Sequence, residues 1–287
     1  MYRFLSVLIV LLSAYWANAQ KFEWANHTKA TAVSGRAVDV DRYGNVYVAG
    51  SVSGTAVDFD PGPGVMALTA GARVTYIEKM NPQGQVLWAK AINSVDTGAN
   101  TVKYNECMDM KVDEQGNIYV VGTYGGGADF DPGPGVYTLA NDTSSGRTGY
   151  ILKLDANGNF VWANDYKYGT HSIEPQSIAF DQYGGLYIAG YLGFFTFNNG
   201  NGPVIDGNCF IAKLNSAGLV TWADEVYETT IGLYQTTVIR TLKLQIDQAG
   251  NFYISGQSVG TADFDPGIGI ATLVADDMTP TPTKELT

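Results

Sequence analysis

Pairs of aspartates that flank one phenylalanine are the residues of this chain whose type and spacing indicate chemistry. The segment Asp-Phe-Asp-Pro-Gly occurs three times, with its aspartates at Asp58 and Asp60, Asp129 and Asp131, and Asp263 and Asp265. Alternate side chains of an extended segment lie on one face about 7 Å apart, and the Pro-Gly that follows bends the chain around them. Because carboxylate and carbonyl oxygens are the ligands that Ca²⁺ prefers, the segment predicts a calcium site.

A second interpretation of these segments is a rigid turn without an ion, in which the aspartates cap backbone amides. The phenylalanines Phe59, Phe130 and Phe264 would then be buried in the core. An EF-hand is excluded, because Thr69 stands where that loop requires Glu. At the equivalent place between the second and third copies, Thr196-Phe197-Asn198 replaces both carboxylates and keeps the phenylalanine. The sequence therefore leaves the two interpretations open.

The aspartate pairs belong to a larger repeat, whose first piece is an alternating run, an Asp-x-x-Gly turn and a second alternating run. The first copy extends from Ala37 through Gly44 to Gly50, and its counterparts are Met110 to Gly122, Ala179 to Gly190 and Gln245 to Gly256. Period-two alternation predicts strands, and the aspartate and glycine favour a tight turn between them. This piece is predicted to be a β-hairpin.

A second hairpin follows the Asp-Phe-Asp-Pro-Gly segment in each complete unit. Its copies are Tyr76 to Ala89, Tyr150 to Ala163 and Phe210 to Ala223. Each unit is thus predicted to be a four-stranded antiparallel sheet with one inserted loop. The units repeat about every 70 residues, whereas propeller blades take about 40 to 50, and the inserted segment accounts for the difference.

The N-terminus has the pattern of a cleaved secretory signal. Arg3 precedes an apolar run that is too short to span a membrane, and Ala17-Asn18-Ala19 matches a cleavage site. We therefore expect a secreted or cell-surface protein without membrane insertion. The predicted divisions are a signal peptide (1–19), a leading strand that completes a blade (20–34), three repeats (35–106, 107–175 and 176–241) and a partial fourth repeat (242–287).

The aromatic residues recur at fixed places in the units. The tryptophans Trp24, Trp88, Trp162 and Trp222 precede Ala, and the tyrosines Tyr47, Tyr119, Tyr187 and Tyr253 lie in the second strand. We predict that they pack between sheets. The segment 22–25 has the pattern of the fourth strand of a unit, although it precedes the first unit. A ring of sheets closes in this way, when the N-terminal segment supplies the fourth strand of the last sheet. With about three and a half units present, we expect the remaining blades in a longer chain; the alternative is a four-bladed ring with an incomplete last blade.

Composition narrows the function classes. The chain after the predicted signal contains 28 acidic and 16 basic residues, which gives a formal charge of −12. Nucleic acid is therefore not an expected partner, because phosphate binding needs clustered basic residues. Cys107 and Cys209 occupy different repeat positions, and whether they pair stays open. The two histidines, His27 and His171, fit no zinc spacing and no nucleophile motif. No catalytic residue and no definite cofactor are predicted.

The repeat resembles the secreted bacterial β-propeller repeats of the seven-bladed type. The likeness rests on Asp-x-x-Gly-Asn-x-Tyr-x-x-Gly, at Asp41 to Gly50, Asp113 to Gly122 and Asp247 to Gly256, and on the later Lys-Leu-x-x-x-Gly at Lys153 and Lys213. The third unit departs from it with Gly185 in place of Asn. The resemblance implies an exported propeller and no shared catalytic motif.

The expected function is a non-catalytic binding or scaffolding module whose partner is an unknown protein or glycan. Two alternatives stay open: a calcium-stabilised structural spacer of an adhesin, and a carbohydrate-active hydrolase or lyase. The expected fold is all-β, a propeller of four-stranded antiparallel blades in an incomplete ring.

Overall fold

The computed structural model describes residues 23–26, 28, 32–95, 103–140, 147–168, 171–192, 197–198, 204–205, 209–226, 238–259, 261–263 and 272–274. These residues form strands and turns and contain no helix, so none of them forms a helix that could cross a membrane. The strands pair antiparallel throughout this part of the chain, as the alternating sequence pattern predicts.

The described residues form twenty strands, numbered here in chain order. The first ten are β1 (Ala32–Val40), β2 (Val46–Asp58), β3 (Ala67–Met80), β4 (Val86–Val95), β5 (Tyr104–Val112), β6 (Ile118–Gly125), β7 (Gly127–Asp129), β8 (Thr138–Ala140), β9 (Thr148–Leu154) and β10 (Phe160–Tyr168). The others are β11 (His171–Phe180), β12 (Leu186–Leu192), β13 (Phe197–Asn198), β14 (Val204–Ile205), β15 (Cys209–Leu214), β16 (Val220–Val226), β17 (Val238–Ile246), β18 (Phe252–Val259), β19 (Thr261–Asp263) and β20 (Thr272–Val274).

Four units organise these strands. Unit 1 is β1-β2-β3-β4, unit 2 is β5-β6-β9-β10, unit 3 is β11-β12-β15-β16, and unit 4 is the hairpin β17-β18. The predicted four-stranded antiparallel sheets are thus confirmed for three units. Short pairings of β4 with β7 and of β10 with β11 join neighbouring units into larger sheets, and none of the described sheets is closed.

The turns of both hairpins have one design, as predicted. In unit 1, Asp41 Oδ1 accepts hydrogen bonds from the backbone amides of Tyr43 and Asn45, each at 2.9 Å. Gly44 adopts a φ of 79°, which lies in the left-handed region that glycine enters without strain. The same arrangement recurs at Asn81, Asp113, Asp155, Asp181, Asn215 and Asp247.

The units stack face to face and bury the core between them. We call the front face of a unit the one that packs on the preceding unit. In unit 2 a cross-strand row of Met110, Val120, Leu152 and Ala163 packs against unit 1. In unit 3 the equivalent row is Ile178, Ile188, Ala212 and Ala223, which packs against unit 2.

The tryptophans link each unit to the next, as predicted. The Trp162 indole of unit 2 donates to the carbonyl of Ser216, in the second-hairpin turn of unit 3, at 3.0 Å. The Trp24 indole donates to the carbonyl of Pro82, in the matching turn of unit 1, at 3.0 Å. The leading strand predicted at residues 20–34 stays a prediction: residues 23–26 and 28 are described outside any strand, and residues 20–22, 27 and 29–31 lie outside the description. Trp24 itself occupies the place of a preceding unit's tryptophan.

The tyrosine prediction holds for three units and is wrong for the fourth. Tyr47, Tyr119 and Tyr187 are buried, whereas Tyr253 is exposed. Each buried ring lies under the front face of the next unit. Within the described residues no sheet covers that side of unit 4, which explains the exposure of Tyr253.

Candidate functional site

The Asp-Phe-Asp-Pro-Gly segments form tight loops whose first aspartate caps the loop. Asp58 Oδ1 accepts hydrogen bonds from the amides of Asp60 and Met66, both at 2.9 Å. In unit 2, Asp129 Oδ1 accepts the equivalent bonds from Asp131 at 3.1 Å and Tyr137 at 2.8 Å. The carboxylate therefore ties the two ends of the loop together.

The second aspartate of each loop caps the glycine-rich turn. Asp60 Oδ1 accepts from the amide of Gly62, and Asp131 Oδ1 accepts from that of Gly133, both at 2.7 Å. The phenylalanine between the aspartates is buried, as predicted. The Phe59 ring lies 5.1 Å from that of Tyr76, and the Phe130 ring lies 4.8 Å from that of Tyr150.

These contacts are those of the rigid-turn interpretation, and the calcium prediction stays a prediction. Among the described residues, no group of three or more His, Cys, Asp or Glu side chains is placed to hold a metal ion. In unit 4, Asp265 and the side chain of Asp263 lie outside the described residues. Calorimetric titration of Ca²⁺ into the native chain and an Asp131→Asn variant would decide between the interpretations.

A side chain at Gly135 would displace the Asp131 carboxylate, because a Cβ built there would overlap with Asp131 Oδ2. We expect Gly135→Ala to destabilise the protein by about 1 kcal/mol through overpacking. The matched control is Gly133→Ala, whose Cβ would lie 3.0 Å from Asp131 Oδ1 and needs only a small shift. Urea unfolding of the two variants measures the difference; equal midpoints would contradict this account.

A lysine, a tyrosine and an aspartate form a stacked cluster beside the first-hairpin turn of units 1 to 3. In unit 2, the Tyr119 hydroxyl donates to Asp113 Oδ2 at 3.2 Å, and the Lys153 ammonium lies 4.8 Å from the Tyr119 ring centroid. Units 1 and 3 repeat the stacking with Lys79 over Tyr47 and Lys213 over Tyr187. The cluster explains why the repeat signature contains these three residue types.

A cleft of about 620 Å³ lies between the first-hairpin turns of units 2 and 3. Polar and aromatic side chains line it, among them Glu114, Gln115, Asn117, Lys153, Gln182 and Tyr183. Tyr183 is 87% exposed, so its ring is available to a ligand. This volume lies in the range of small-molecule sites, which makes the cleft the candidate binding site.

The aspartates of this cleft stabilise the turns by accepting hydrogen bonds from backbone amides. Asp181 Oδ1 accepts from the amides of Tyr183 at 2.9 Å and Gly185 at 2.7 Å. Burial alone would raise the pKa of Asp181, but these hydrogen bonds, the Tyr187 hydroxyl and the nearby charge of Lys213 hold that pKa below its ordinary value. Asp181 therefore stays ionised, whereas a general acid needs a raised pKa.

A buried polar network joins three units at their first strands. Asp109 Oδ2 accepts from the Ser177 hydroxyl at 2.8 Å and from the Ile178 amide at 3.2 Å. Asp109 Oδ1 forms an ion pair with the Lys243 ammonium at 2.8 Å. The Ser177 hydroxyl also accepts from the Leu244 amide at 3.0 Å.

Sequence reasoning missed this network. Asp109, Ser177 and Lys243 occupy one repeat position, the β-bulge of the first strand, where unit 1 has Ala37. Polar residues at that position in three successive units were the signal that could have indicated it.

The remaining chemical candidates of the sequence are the two cysteines and the two histidines. Cys107 and Cys209 are both buried and form no disulfide with each other. Burial is the main cause that raises the pKa of the Cys107 thiol well above its usual range, which makes it unreactive. His27 lies outside the described residues, and His171 begins β11.

Comparison with known proteins adds no assignment. No protein-family model matches the chain, and no curated protein matches it in sequence.

Proposed function

We propose that this chain is an exported β-propeller that acts as a non-catalytic binding module, with a neutral glycan as its ligand. The observation that carries the proposal is the cleft between units 2 and 3, which combines an exposed aromatic ring with amide and carboxylate side chains. An aromatic face can stack on a sugar ring, and the amides can pair with its hydroxyl groups.

The propeller part of the proposal is supported by how the units are joined. Backbone amides of one first strand bond to side chains of the preceding unit: Val112 to Asp39 at 2.8 Å, and Ile178 to Asp109. The first strands of neighbouring units thus contact one another but do not pair as strands of one sheet. The first strands of propeller blades are arranged in the same way around the central axis. The resemblance to exported propeller repeats and the signal-like residues 1–19 support the same proposal.

A neutral ligand fits the charge of the protein. The formal charge of −11 repels anionic glycans, and the cleft itself contains Asp113, Glu114 and Asp181 beside the single lysine Lys153. The non-catalytic assignment is supported by the hydrogen bonds of Asp113 and Asp181. The carboxylate oxygens of both residues accept hydrogen bonds from backbone amides of their own turns.

Removal of the exposed ring is expected to weaken binding. Affinity electrophoresis of the native chain through gels that each contain one neutral polysaccharide should identify a retarding ligand. Tyr183→Ala should then weaken binding at least about tenfold, because an aromatic anchor supplies much of the energy of such a contact.

The matched control is Tyr43→Ala. Tyr43 occupies the same turn position in unit 1, is also exposed, and lies outside the cleft. Its loss should leave the retardation unchanged. If Tyr183→Ala and Tyr43→Ala behave alike, the cleft is not the binding site.

A further inference from the structure

The front face of unit 1 breaks the apolar pattern of the other units. Its cross-strand row is Val38, Val48, Glu78 and Ala89. The position of Glu78 is Leu152 in unit 2 and Ala212 in unit 3, and both of these are buried between sheets. A carboxylate thus stands where the repeat otherwise has an apolar side chain.

This carboxylate lines a cleft of about 330 Å³. The floor contains Phe59 and Tyr76, which are buried and in contact. One wall is the N-terminal segment, where Trp24 is held by its hydrogen bond to Pro82 and Asn26 donates to the carbonyl of Gly84. The cleft therefore combines fixed aromatic walls with a single carboxylate.

Glu78 has no hydrogen-bond or ion-pair partner among the described residues, although it is only 7% exposed. Other buried carboxylates of this part of the chain are compensated: Asp109 by Lys243 at 2.8 Å, and Glu174 by Arg147 at 3.6 Å. A buried charge without a partner is costly, so the cleft favours a ligand that brings the opposite charge.

We propose that this cleft binds a small organic ammonium ion, with the ammonium group against the Glu78 carboxylate and the apolar part between the aromatic rings. Aromatic faces attract ammonium groups through their quadrupole, and desolvation strengthens that attraction. The volume of this cleft lies at the small end of the range of ligand sites. A small amine therefore fits into it, whereas the broad surface of a protein partner does not.

Protonation of Glu78 should compete with the ligand. Burial alone raises the pKa of Glu78 to about 7. Tyr76 is the titratable group beside it on β3, and burial is the main cause that raises its pKa to about 12. The residues that face it from the neighbouring strands and the N-terminal segment, namely Val38, Val48, Ala89, Trp24 and Asn26, carry no ionisable side chain. Affinity for an ammonium ion should therefore rise between about pH 5 and pH 8.

The test compares phenethylammonium with phenethyl alcohol, a neutral probe that has the same number of non-hydrogen atoms. Calorimetric titration of the full chain at about pH 8 should show saturable binding of phenethylammonium, at least about tenfold tighter than that of the alcohol. In Glu78→Gln the two probes should bind equally. In Glu78→Leu, which restores the residue of unit 2, the alcohol should bind at least as tightly as to the native chain.

Three outcomes would overturn the proposal. The first is equal affinity of the native chain for the two probes. The second is unchanged selectivity in Glu78→Gln, with both variants folded by circular dichroism. The third is an absence of saturable binding in a chain that sedimentation shows to be dimeric through this face, because a second copy would then be the occupant.

Discussion

Replacement of Asp109 with Ala is expected to destabilise the protein by about 2 to 3 kcal/mol, because it leaves buried hydrogen-bond donors of the next unit without an acceptor. Ser177 and the amide of Ile178 lose their partner in the interior, and Lys243 loses its counter-ion. Asp109 is only 5% exposed, so water does not replace the lost bonds. Urea unfolding, monitored by circular dichroism, measures the change in the free energy of unfolding.

Asp39→Ala is the matched control. Asp39 also accepts a bond from the first strand of the next unit, at 2.8 Å from the amide of Val112, but it is half-buried and pairs with no cation in that contact. Its loss should cost about 1 kcal/mol. Similar losses in the two variants would show that the buried network does not hold the units together.

Replacement of Glu78 with Leu is expected to stabilise the protein by about 2 kcal/mol at about pH 8 and to leave stability at about pH 4.5 nearly unchanged. The pKa of Glu78 is about 7 in the folded state, above its ordinary value of 4.5. The folded state therefore binds the proton more tightly, and the native protein loses stability as the pH rises from about 4.5 through 7. The figure allows for solvent that reaches the carboxylate through the cleft.

The measurement is the difference in unfolding free energy between the native and Glu78→Leu proteins across this pH range. Taking the difference cancels the titration of groups that both proteins share. A difference that grows with pH is the expected result. Parallel pH profiles would mean that Glu78 is not desolvated and that its place in the cleft is wrong.

The hairpins could be predicted from sequence because their determinants are local. Asp41 bonds to amides two and four residues further on, and Gly44 supplies the turn conformation. The burial of Phe59 and Phe130 followed for a similar reason, since the loop around each phenylalanine is closed by its own aspartates.

The contacts between units could not be predicted in this way. Asp109, Ser177 and Lys243 are distant in sequence, and each is unremarkable in its own alternating strand. Only the stacking of three units brings them together. Likewise, β7 pairs with β4 of the preceding unit, a contact that no pattern within the inserted segment indicates.

The two candidate clefts could not be predicted from the sequence, because each is formed only when neighbouring parts of the fold pack together. Tyr183 looks like an ordinary turn residue in sequence, and only the neighbouring turn of unit 2 makes it the wall of a cleft. Glu78 differs from its equivalents Leu152 and Ala212, but the consequence depends on which face of the sheet packs on another unit. Repeat alignment combined with the stacking direction identifies both residues.

We propose that the protein binds a neutral glycan without cleaving it. The most direct measurement is equilibrium dialysis of the native chain against the polysaccharide that retards it, followed by size analysis of that polysaccharide. We expect saturable binding, binding at least about tenfold weaker in Tyr183→Ala, and an unchanged length of the polysaccharide. A shortened polysaccharide would identify an enzyme instead, and binding that survives in Tyr183→Ala would place the site elsewhere.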